Sequence, residues 1–180
     1  MRKLKTQAIA VVGSKKSGKT TTTEKLIKEL ANRGYKVAAI KHISEPDFTI
    51  DTPEKDTWRY AQAGAKTIIS AATNEIATIE KTHSRNISLE TLLKKCIGND
   101  VIFIEGFKKP VATKKNIPKI VVVKSTQETM NALESFKPIL AFSGPYSTEA
   151  LDLDPKIPYA NALKNPEKLA DIIEDNLLKK

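Results

Sequence analysis

The sequence has 180 residues, a formal net charge of +9 and one cysteine, Cys96. This length suits a single domain covering residues 1–180. No apolar run reaches the roughly 20 residues of a membrane helix, and the N-terminal apolar stretch is too short for a signal peptide, so we expect a soluble cytoplasmic protein. One cysteine excludes an internal disulfide framework, and we expect Cys96 to be structural. The charge excess is lysine spread along the chain, which favours a solvated surface over a nucleic-acid interface.

Short β-branched apolar runs alternate with amphipathic segments along the chain. This pattern predicts an α/β fold in three layers, with a mainly parallel sheet flanked by helices. The predicted strands are Ala8–Val12, Lys36–Ile40, Thr67–Ala71, Val101–Glu105, Lys119–Val123 and Ile139–Phe142. The predicted helices run from the first loop to Arg33, over Lys55–Gly64 and Leu89–Cys96, and onward from Asn165. Segment Lys108–Pro118, with two prolines and four lysines, is predicted to be a mobile basic loop.

Residues 13–20 read GSKKSGKT, which is the GxxxxGK[ST] spacing of a P-loop. A buried-type strand enters the motif and an amphipathic helix leaves it, as such a loop requires. Gly13 and Gly18 allow the backbone N–H groups to turn towards phosphate oxygens. We expect Lys19 to bridge the β- and γ-phosphates and Thr20 to bind Mg²⁺. The residues with expected supporting contacts are Lys15, Lys16, Ser17 and Thr21.

A carboxylate is expected across from Thr20, because the metal and the attacking water need an acidic partner. Residues 100–106, DVIFIEG, fit this role. They form a buried-type strand with Glu105 at its carboxyl end, where ligands of open parallel sheets bind. Glu105 either reaches the metal through water or acts on the nucleophile. Asp100, at the start of the strand, is expected to have a turn or cap role.

The long polar segment 41–56 has the composition of a switch or substrate loop. Asp47, Asp51 and Asp56 are candidate metal or substrate ligands, and Lys41 is placed to meet phosphate. The alternative is that these residues are helix caps and solvated charges. Asp56 in particular would favour the start of its helix.

Four motifs in order resemble the MobB family, whose members are associated with making molybdopterin guanine dinucleotide. They are GSKKSGKTTTTEKLIKEL, GYKVAAIKH followed by DF and a further aspartate, EKDTWRYAQAGA, and DVIFIEGFKK followed by PKIVVV. The resemblance implies a fold similar to SIMIBI-type GTPases, binding of GTP with Mg²⁺, weak hydrolysis at most, and a homodimer. It also implies assistance to a MobA-type nucleotidyltransferase that joins GMP to molybdopterin, an anionic pterin.

The complete set of candidate site residues combines the P-loop with these acids and the polar segment. Catalysis is assigned to Glu105 and Asp47, and the metal to Thr20, Asp47 and Glu105. The substrate loop is assigned Lys41, His42, Asp51, Lys55 and Asp56.

Two features limit what the residues say about the base and the reaction. No NKxD guanine motif is present, and the loop Ala141–Pro145 is the expected place for the base. Ser14 stands where ATPases with deviant P-loops carry a lysine, so their intersubunit lysine mechanism is not supported.

The alternative function is a small-molecule kinase whose acceptor enters at residues 47–56. Against it, a lid at Lys108–Lys115 would contain no arginine. A nucleic-acid-dependent NTPase is a third reading.

Overall fold

The computed structural model describes residues 6–45, 47–82, 87–145 and 156–179. The chain divides into two compact units. Residues 1–42 and 92–180 form the first, called the core unit here, and residues 43–91 form the second, called the hairpin unit. The single domain over residues 1–180 that we expected from the sequence therefore stays a prediction. Among the described residues, no helix has both the length and the apolar character that crossing a membrane requires.

The core unit is built on a five-stranded sheet. Its strands are β1 (Gln7–Gly13), β2 (Val37–Lys41), β5 (Val101–Glu105), β6 (Lys119–Val122) and β7 (Ile139–Ser143). They are all parallel and lie in the order β2-β5-β1-β6-β7. Its helices are α1 (Lys19–Asn32), α4 (Lys108–Val111), α5 (Thr126–Ser135) and α6 (Pro166–Ile173), and a π-helical turn follows at Glu174–Leu178. Helix α3 (Leu89–Lys95) crosses the boundary between the units. The predicted α/β fold with a mainly parallel sheet is confirmed.

The apolar runs form strands because a parallel sheet covered by helices buries both faces of each strand. Residues 9–12 of β1 are fully buried, and residues 101–104 of β5 are at most 3% exposed. Leu26 and Leu30 of α1 and Leu169 and Ile173 of α6 belong to the same apolar cluster. Burial of each such side chain stabilises the fold by about 1.5–3 kcal/mol. The strongest sequence pattern therefore coincides with the centre of the core.

Helix α1 ends as the sequence predicts, at Gly34. The glycine has φ +89°, and the N–H groups of Gly34 and Tyr35 donate to the carbonyls of Ala31 and Leu30. This is the Schellman arrangement, which satisfies the last carbonyls of a helix. Asp100 also has its predicted turn role, because its carboxylate accepts the backbone N–H of Lys36 at 2.7 Å.

A salt-bridge network joins the end of α1 to the C-terminal helical region. Arg33 donates to Glu29 on its own helix, to Asp171 on α6 and to Glu174 in the π-helical turn, at 2.9, 2.7 and 2.6 Å. The side chain of Glu174 is only 10% exposed. A branched ion pair of this kind fixes the direction in which α6 leaves the core.

The hairpin unit departs from the predicted sheet. It contains α2 (Asp56–Gln62), β3 (Thr67–Ala71) and β4 (Ile76–Glu80). β3 pairs antiparallel with β4, a strand absent from the prediction, and the two strands form a sheet of their own. The expectation that Thr67–Ala71 joins the parallel sheet is therefore wrong. Residues 72–75 are a tight connection closed by Ala72 N–H to Glu75 O, and a connection this short permits only an antiparallel pair.

Segment Lys108–Pro118 is also structured, contrary to the predicted mobile loop. It begins with α4, and Val111 and Ile117 are 0% and 1% exposed. These two apolar side chains anchor the segment to the core despite its prolines and lysines. Helix α5, which the sequence prediction omitted, begins at an N-cap serine: the Ser125 hydroxyl accepts the N–H of Glu128.

Candidate nucleotide-binding site

The sheet register brings three strand ends to one edge of the core unit. Lys41 of β2 pairs with Glu105 of β5, and Glu105 pairs with Val11 of β1. β1 continues through Gly13 into the loop that precedes α1. Because all these strands are parallel, their carboxyl ends meet where ligands of open α/β sheets bind.

The loop between β1 and α1 is a close-packed turn. A Cβ at Gly13 would overlap the carbonyl oxygen of Val122 and the hydroxyl of Ser17, so only glycine fits there. Gly18 has φ +95°, and Lys16 adopts a left-handed φ of +59°. Left-handed residues in such a loop turn consecutive N–H groups to the same side, which forms an anion-binding concavity. The helix dipole of α1 adds positive potential at this point.

Lys19 lies across this loop. Its Nζ donates to the carbonyl oxygen of Ser14 at 2.5 Å. Burial lowers the pKa of Lys19, and the charges of Lys108, Lys124 and Lys41 lower it further, while Glu105 opposes them. Several lysine charges gathered around a partly buried lysine favour the arrival of an anion.

Thr20, Glu105 and Lys41 form a second cluster beside the loop. The Thr20 hydroxyl donates to Glu105 Oε1 at 2.7 Å. Lys41 Nζ lies 3.3 Å from that same carboxylate oxygen and donates to Thr20 Oγ1 at 3.3 Å. Glu105 is 8% exposed, so its charge is compensated mainly by these two partners. Lys41 therefore places a cation in contact with both the hydroxyl and the carboxylate.

The oxygen atoms of this cluster suit Mg²⁺. A hydroxyl and a carboxylate held 2.7 Å apart are the hard donors that the ion prefers, with water and phosphate as its other ligands. The described residues contain no group of three or more His, Cys, Asp or Glu that could hold a metal. An ion at Thr20 and Glu105 would thus depend on nucleotide phosphates. Ser17 Oγ, buried and without a hydrogen-bond partner in the structure, marks unused polar capacity in the loop.

The predicted supporting residues surround a surface cavity of about 330 Å³. Its lining comprises Lys16, Ser17, Gly18, Lys19, Thr20 and Thr21. Lys15 contributes its backbone carbonyl, which accepts from Lys124 Nζ at 3.4 Å. The site prediction did not include Lys108 and Lys124. Their signal in the sequence is weak, because a lysine just after a strand end looks like any other surface lysine.

His42 and the segment after Glu105 are packed together. The His42 backbone N–H donates to Glu105 O at 2.9 Å. Its ring meets Phe107 edge-on, with centroids 4.9 Å apart and planes at 67°. Gly106 and Phe107 are consecutive left-handed residues, with φ +89° and +50°. A left-handed Phe is strained, and such strain is concentrated at functional segments.

The four remaining acids and bases of the predicted substrate loop lie in the hairpin unit. Asp47, Lys55 and Asp56 are exposed, and Asp56 begins α2 and pairs with Arg59 at 3.6 Å. Asp51 accepts from the Thr57 hydroxyl at 2.8 Å, while its other carboxylate oxygen is buried without a partner in the structure. Asp56 thus has the helix-start position that the alternative reading gave it. Ligation by Asp47, Asp51, Lys55 and Asp56 stays a prediction.

The expected base loop, 141–145, is tightly held in the core unit. Ser143 is fully buried, and its hydroxyl accepts the N–H of Ala162 at 3.2 Å. The Tyr159 hydroxyl donates to Gly144 O, and a Cβ at Gly144 would overlap Val123 O. Residues 146–155, which follow this loop, lie outside the described residues. Base recognition here stays a prediction.

The strand order, the glycine-dependent loop and the Lys19–Thr20–Glu105 arrangement define a P-loop nucleotide-binding fold. A family model described as "Molybdopterin guanine dinucleotide synthesis protein B" (MobB) matches residues 8–143. The chain belongs to this family.

Relatives and solved structures agree with this assignment. A relative from Methanocaldococcus jannaschii is 38% identical over 122 residues, which are 66% of this chain and 47% of that protein. A Haemophilus influenzae protein named "Molybdopterin-guanine dinucleotide biosynthesis adapter protein" is 35% identical over 63% of this chain and 61% of its own length. The matched region thus spans about half to three fifths of these relatives. A crystal structure of Bacillus subtilis MobB has a TM-score of 0.73 at 23% identity, covering 97% of this chain and 99% of that one, and it shows the shared fold.

Proposed function

We propose that this protein binds GTP with Mg²⁺ and acts as an accessory protein in the biosynthesis of molybdopterin guanine dinucleotide. The observation that carries the proposal is the arrangement of Lys19 over the phosphate loop with Thr20 and Glu105 held 2.7 Å apart beside it. The family and the adapter names of its relatives support the pathway. In this proposal the partners are a MobA-type nucleotidyltransferase and molybdopterin, and the protein acts as a cytoplasmic homodimer.

Nucleotide binding follows from the groups at this edge of the sheet. The loop N–H groups and Lys19 would hold the β- and γ-phosphates, and Lys108 and Lys124 would add positive charge. Lys19 now donates to Ser14 O, a neutral carbonyl, so a phosphate offers it a stronger acceptor. Thr20 and Glu105 would hold Mg²⁺, which would neutralise phosphate charge.

Hydrolysis is expected to be weak at most. A general base must have a free oxygen within reach of the attacking water. Glu105 Oε1 is already shared between the Thr20 hydroxyl and Lys41. The cations whose charges depress the pKa of Lys19 are all lysines, so an arginine of the kind that stabilises phosphoryl transfer is not among them. These features favour holding a nucleotide over turning it over.

The proposal is tested by isothermal titration of the protein with GTP and ATP, each with and without Mg²⁺. We expect preference for GTP, Mg²⁺-dependent affinity, and a loss of roughly 100-fold for Lys19→Ala because a charge-assisted phosphate contact is removed. Lys28→Ala, which removes an exposed lysine on α1, is the matched control. Unchanged GTP affinity in Lys19→Ala would remove the nucleotide site.

The accessory role needs its own measurement. Adding the protein to a MobA-type enzyme with molybdopterin and GTP should accelerate formation of the dinucleotide cofactor, and Lys19→Ala should remove the acceleration. ATP turnover stimulated by a hydroxylated metabolite would instead establish the kinase alternative.

A further inference from the structure

A second cavity, of about 380 Å³, lies beside the phosphate loop within the core unit. Its wall includes Gly13 and Ser14, the first residues of the loop, together with residues of β6, α4 and α5. Small-molecule sites have volumes of about 300–1,000 Å³. The cavity is thus large enough for a ligand that would lie next to a nucleotide held by the loop.

The cavity combines an apolar wall with a charged rim. Val121, Val123 and Ala132 line it and are at most 4% exposed. Lys108 and Lys109, both exposed and both on α4, line it as well. An apolar wall suits the face of a planar ring, because ring burial removes apolar surface from water. The two lysines suit an anionic substituent on that ring.

The polar groups that α5 contributes to the cavity carry no positive charge, unlike the two lysines. Asn131 and Ser135 are neutral, exposed and able both to donate and to accept hydrogen bonds. Glu128 also lines the cavity, but its carboxylate already accepts the N–H of Lys124 at 2.8 Å. Burial opposes ionisation of Glu128, yet the neighbouring Ser14 hydroxyl and the N–H and charge of Lys124 outweigh it and lower its pKa. Asn131 Oδ1 accepts from Gln127 Nε2 at 3.0 Å, so the hydrogen-bonding capacity left at this rim lies with the amide N–H groups of Asn131 and with Ser135.

We propose that this cavity binds a planar heterocycle carrying one phosphate, the chemical class of a pterin monophosphate, at the same time as the nucleotide. Its phosphate meets Lys109 and Lys108, its ring lies on Val121, Val123 and Ala132, and its polar edge faces Asn131 and Ser135. The inference rests on the proposed function, in which a pterin is the second ligand.

The placement of α4 supports this assignment. The helix is held by Val111, which is fully buried, so the two lysines are carried on an anchored element. The positive charge of Lys108 also repels that of Lys19 in the phosphate loop. A phosphate between α4 and the loop would relieve this repulsion. The phosphate groups of the two ligands would then lie close together on one protein surface.

The test uses 6-hydroxymethylpterin monophosphate as probe, titrated into the full chain and followed by pterin fluorescence. Lys109→Ala removes a rim cation, Ser135→Trp fills the rim from an exposed position, and Lys115→Ala is the matched control because Lys115 is an exposed lysine of the same segment outside the lining. We expect saturable binding that weakens about 10-fold in Lys109→Ala, weakens as much in Ser135→Trp, and stays within about twofold in Lys115→Ala. The unphosphorylated pterin should bind the parent and Lys109→Ala equally.

Three outcomes would overturn the inference. They are no binding of the probe by the parent protein, equal binding by the parent and both rim variants, and loss of probe binding in Lys19→Ala with displacement by GTP. The last would place the probe's phosphate in the phosphate loop. Titration of GTP into the same variants keeps the two proposals apart. Intact GTP binding without probe binding rejects only the cavity, whereas unchanged GTP affinity in Lys19→Ala rejects the nucleotide site whatever the probe does.

Discussion

Two lysines with lowered pKa lie at opposite ends of the parallel strands, one at the carboxyl end and one at the amino end. They differ in the groups that surround them. Lys19 follows the carboxyl end of β1, donates to Ser14 O and has further lysines near it. Lys119 begins β6, is fully buried, and donates to Lys114 O at 2.8 Å and Lys137 O at 2.7 Å. Burial alone lowers the pKa of Lys119 to about 8.

The difference shows that a perturbed lysine does not by itself mark a functional site. Lys119 has two well-placed carbonyl acceptors, so its side chain connects the segment before β6 to the segment before β7. Lys19 has one such acceptor and sits among like charges, so its surroundings are unfavourable until an anion arrives. The charge environment, and not the size of the pKa shift, separates the two roles.

The largest expected effect comes from removing each lysine in turn. Lys119→Ala should lower the free energy of unfolding by about 3 kcal/mol, because it leaves a cavity and removes the side-chain donor of two part-buried carbonyls. Lys19→Ala should change that free energy by less than about 0.5 kcal/mol while GTP affinity falls. Urea denaturation of both variants measures the free energy of unfolding, and nucleotide titration measures their GTP affinity. Equal stability losses would mean that the two lysines have the same role.

The second effect is a pH dependence of stability. The folded pKa of Lys119 is below the unfolded value of 10.5, so the unfolded state binds more protons between these values. Stability should therefore rise with pH through this window, by about 2 kcal/mol from pH 7 to pH 10. Lys119→Met should lack this rise, and the comparison of the two denaturation series isolates it from other titrating groups. If the stability of the parent and of Lys119→Met rose equally with pH, the assignment of this rise to Lys119 would be wrong.

A smaller effect is expected at the metal cluster. Glu105→Gln keeps the shape of the side chain but removes the charge that compensates Lys41 and attracts Mg²⁺. The gain in GTP affinity on adding Mg²⁺ should fall about 10-fold, while affinity measured without Mg²⁺ should hold or rise. Asp100→Asn, at the other end of β5, is the control. A Mg²⁺ effect of parental size in Glu105→Gln would exclude this carboxylate from the metal site.

The smallest effect concerns a lysine that the sequence did not single out. Lys108→Met should weaken GTP binding about threefold to fivefold and make it less sensitive to salt, since it removes one cation from the site. Lys115→Met, in the same segment, should leave both quantities unchanged. Calorimetric titration of both variants with GTP at two salt concentrations tests whether Lys108 contributes to GTP binding.

The sequence predicted those parts of the fold whose determinants are local. Residues 8–12 and 101–104 are apolar runs that favour a buried strand, and Gly34 ends α1 through its own backbone geometry. The P-loop was recognisable because glycines and a lysine must have that spacing to surround a phosphate. Each of these signals is contained in a few consecutive residues.

The errors and omissions have different physical causes. Thr67–Ala71 has the composition of a buried strand, and its pairing with Ile76–Glu80 is decided by the short turn between them. Segment 108–118 looks mobile because its lysines and prolines outnumber the two side chains, Val111 and Ile117, that anchor it. The roles of Lys108 and Lys124 follow from their proximity to Lys19, which the sequence does not contain.

The salt bridges of Arg33 have a mechanical consequence. Helix α1 carries the phosphate loop at its first residue, and Arg33, directly after its last, is clamped to α6 and to Glu174. At 1.5 Å per residue, its 14 residues form a stiff rod of about 21 Å. The C-terminal helical region is therefore connected, through one helix and one arginine, to a phosphate loop about 20 Å away.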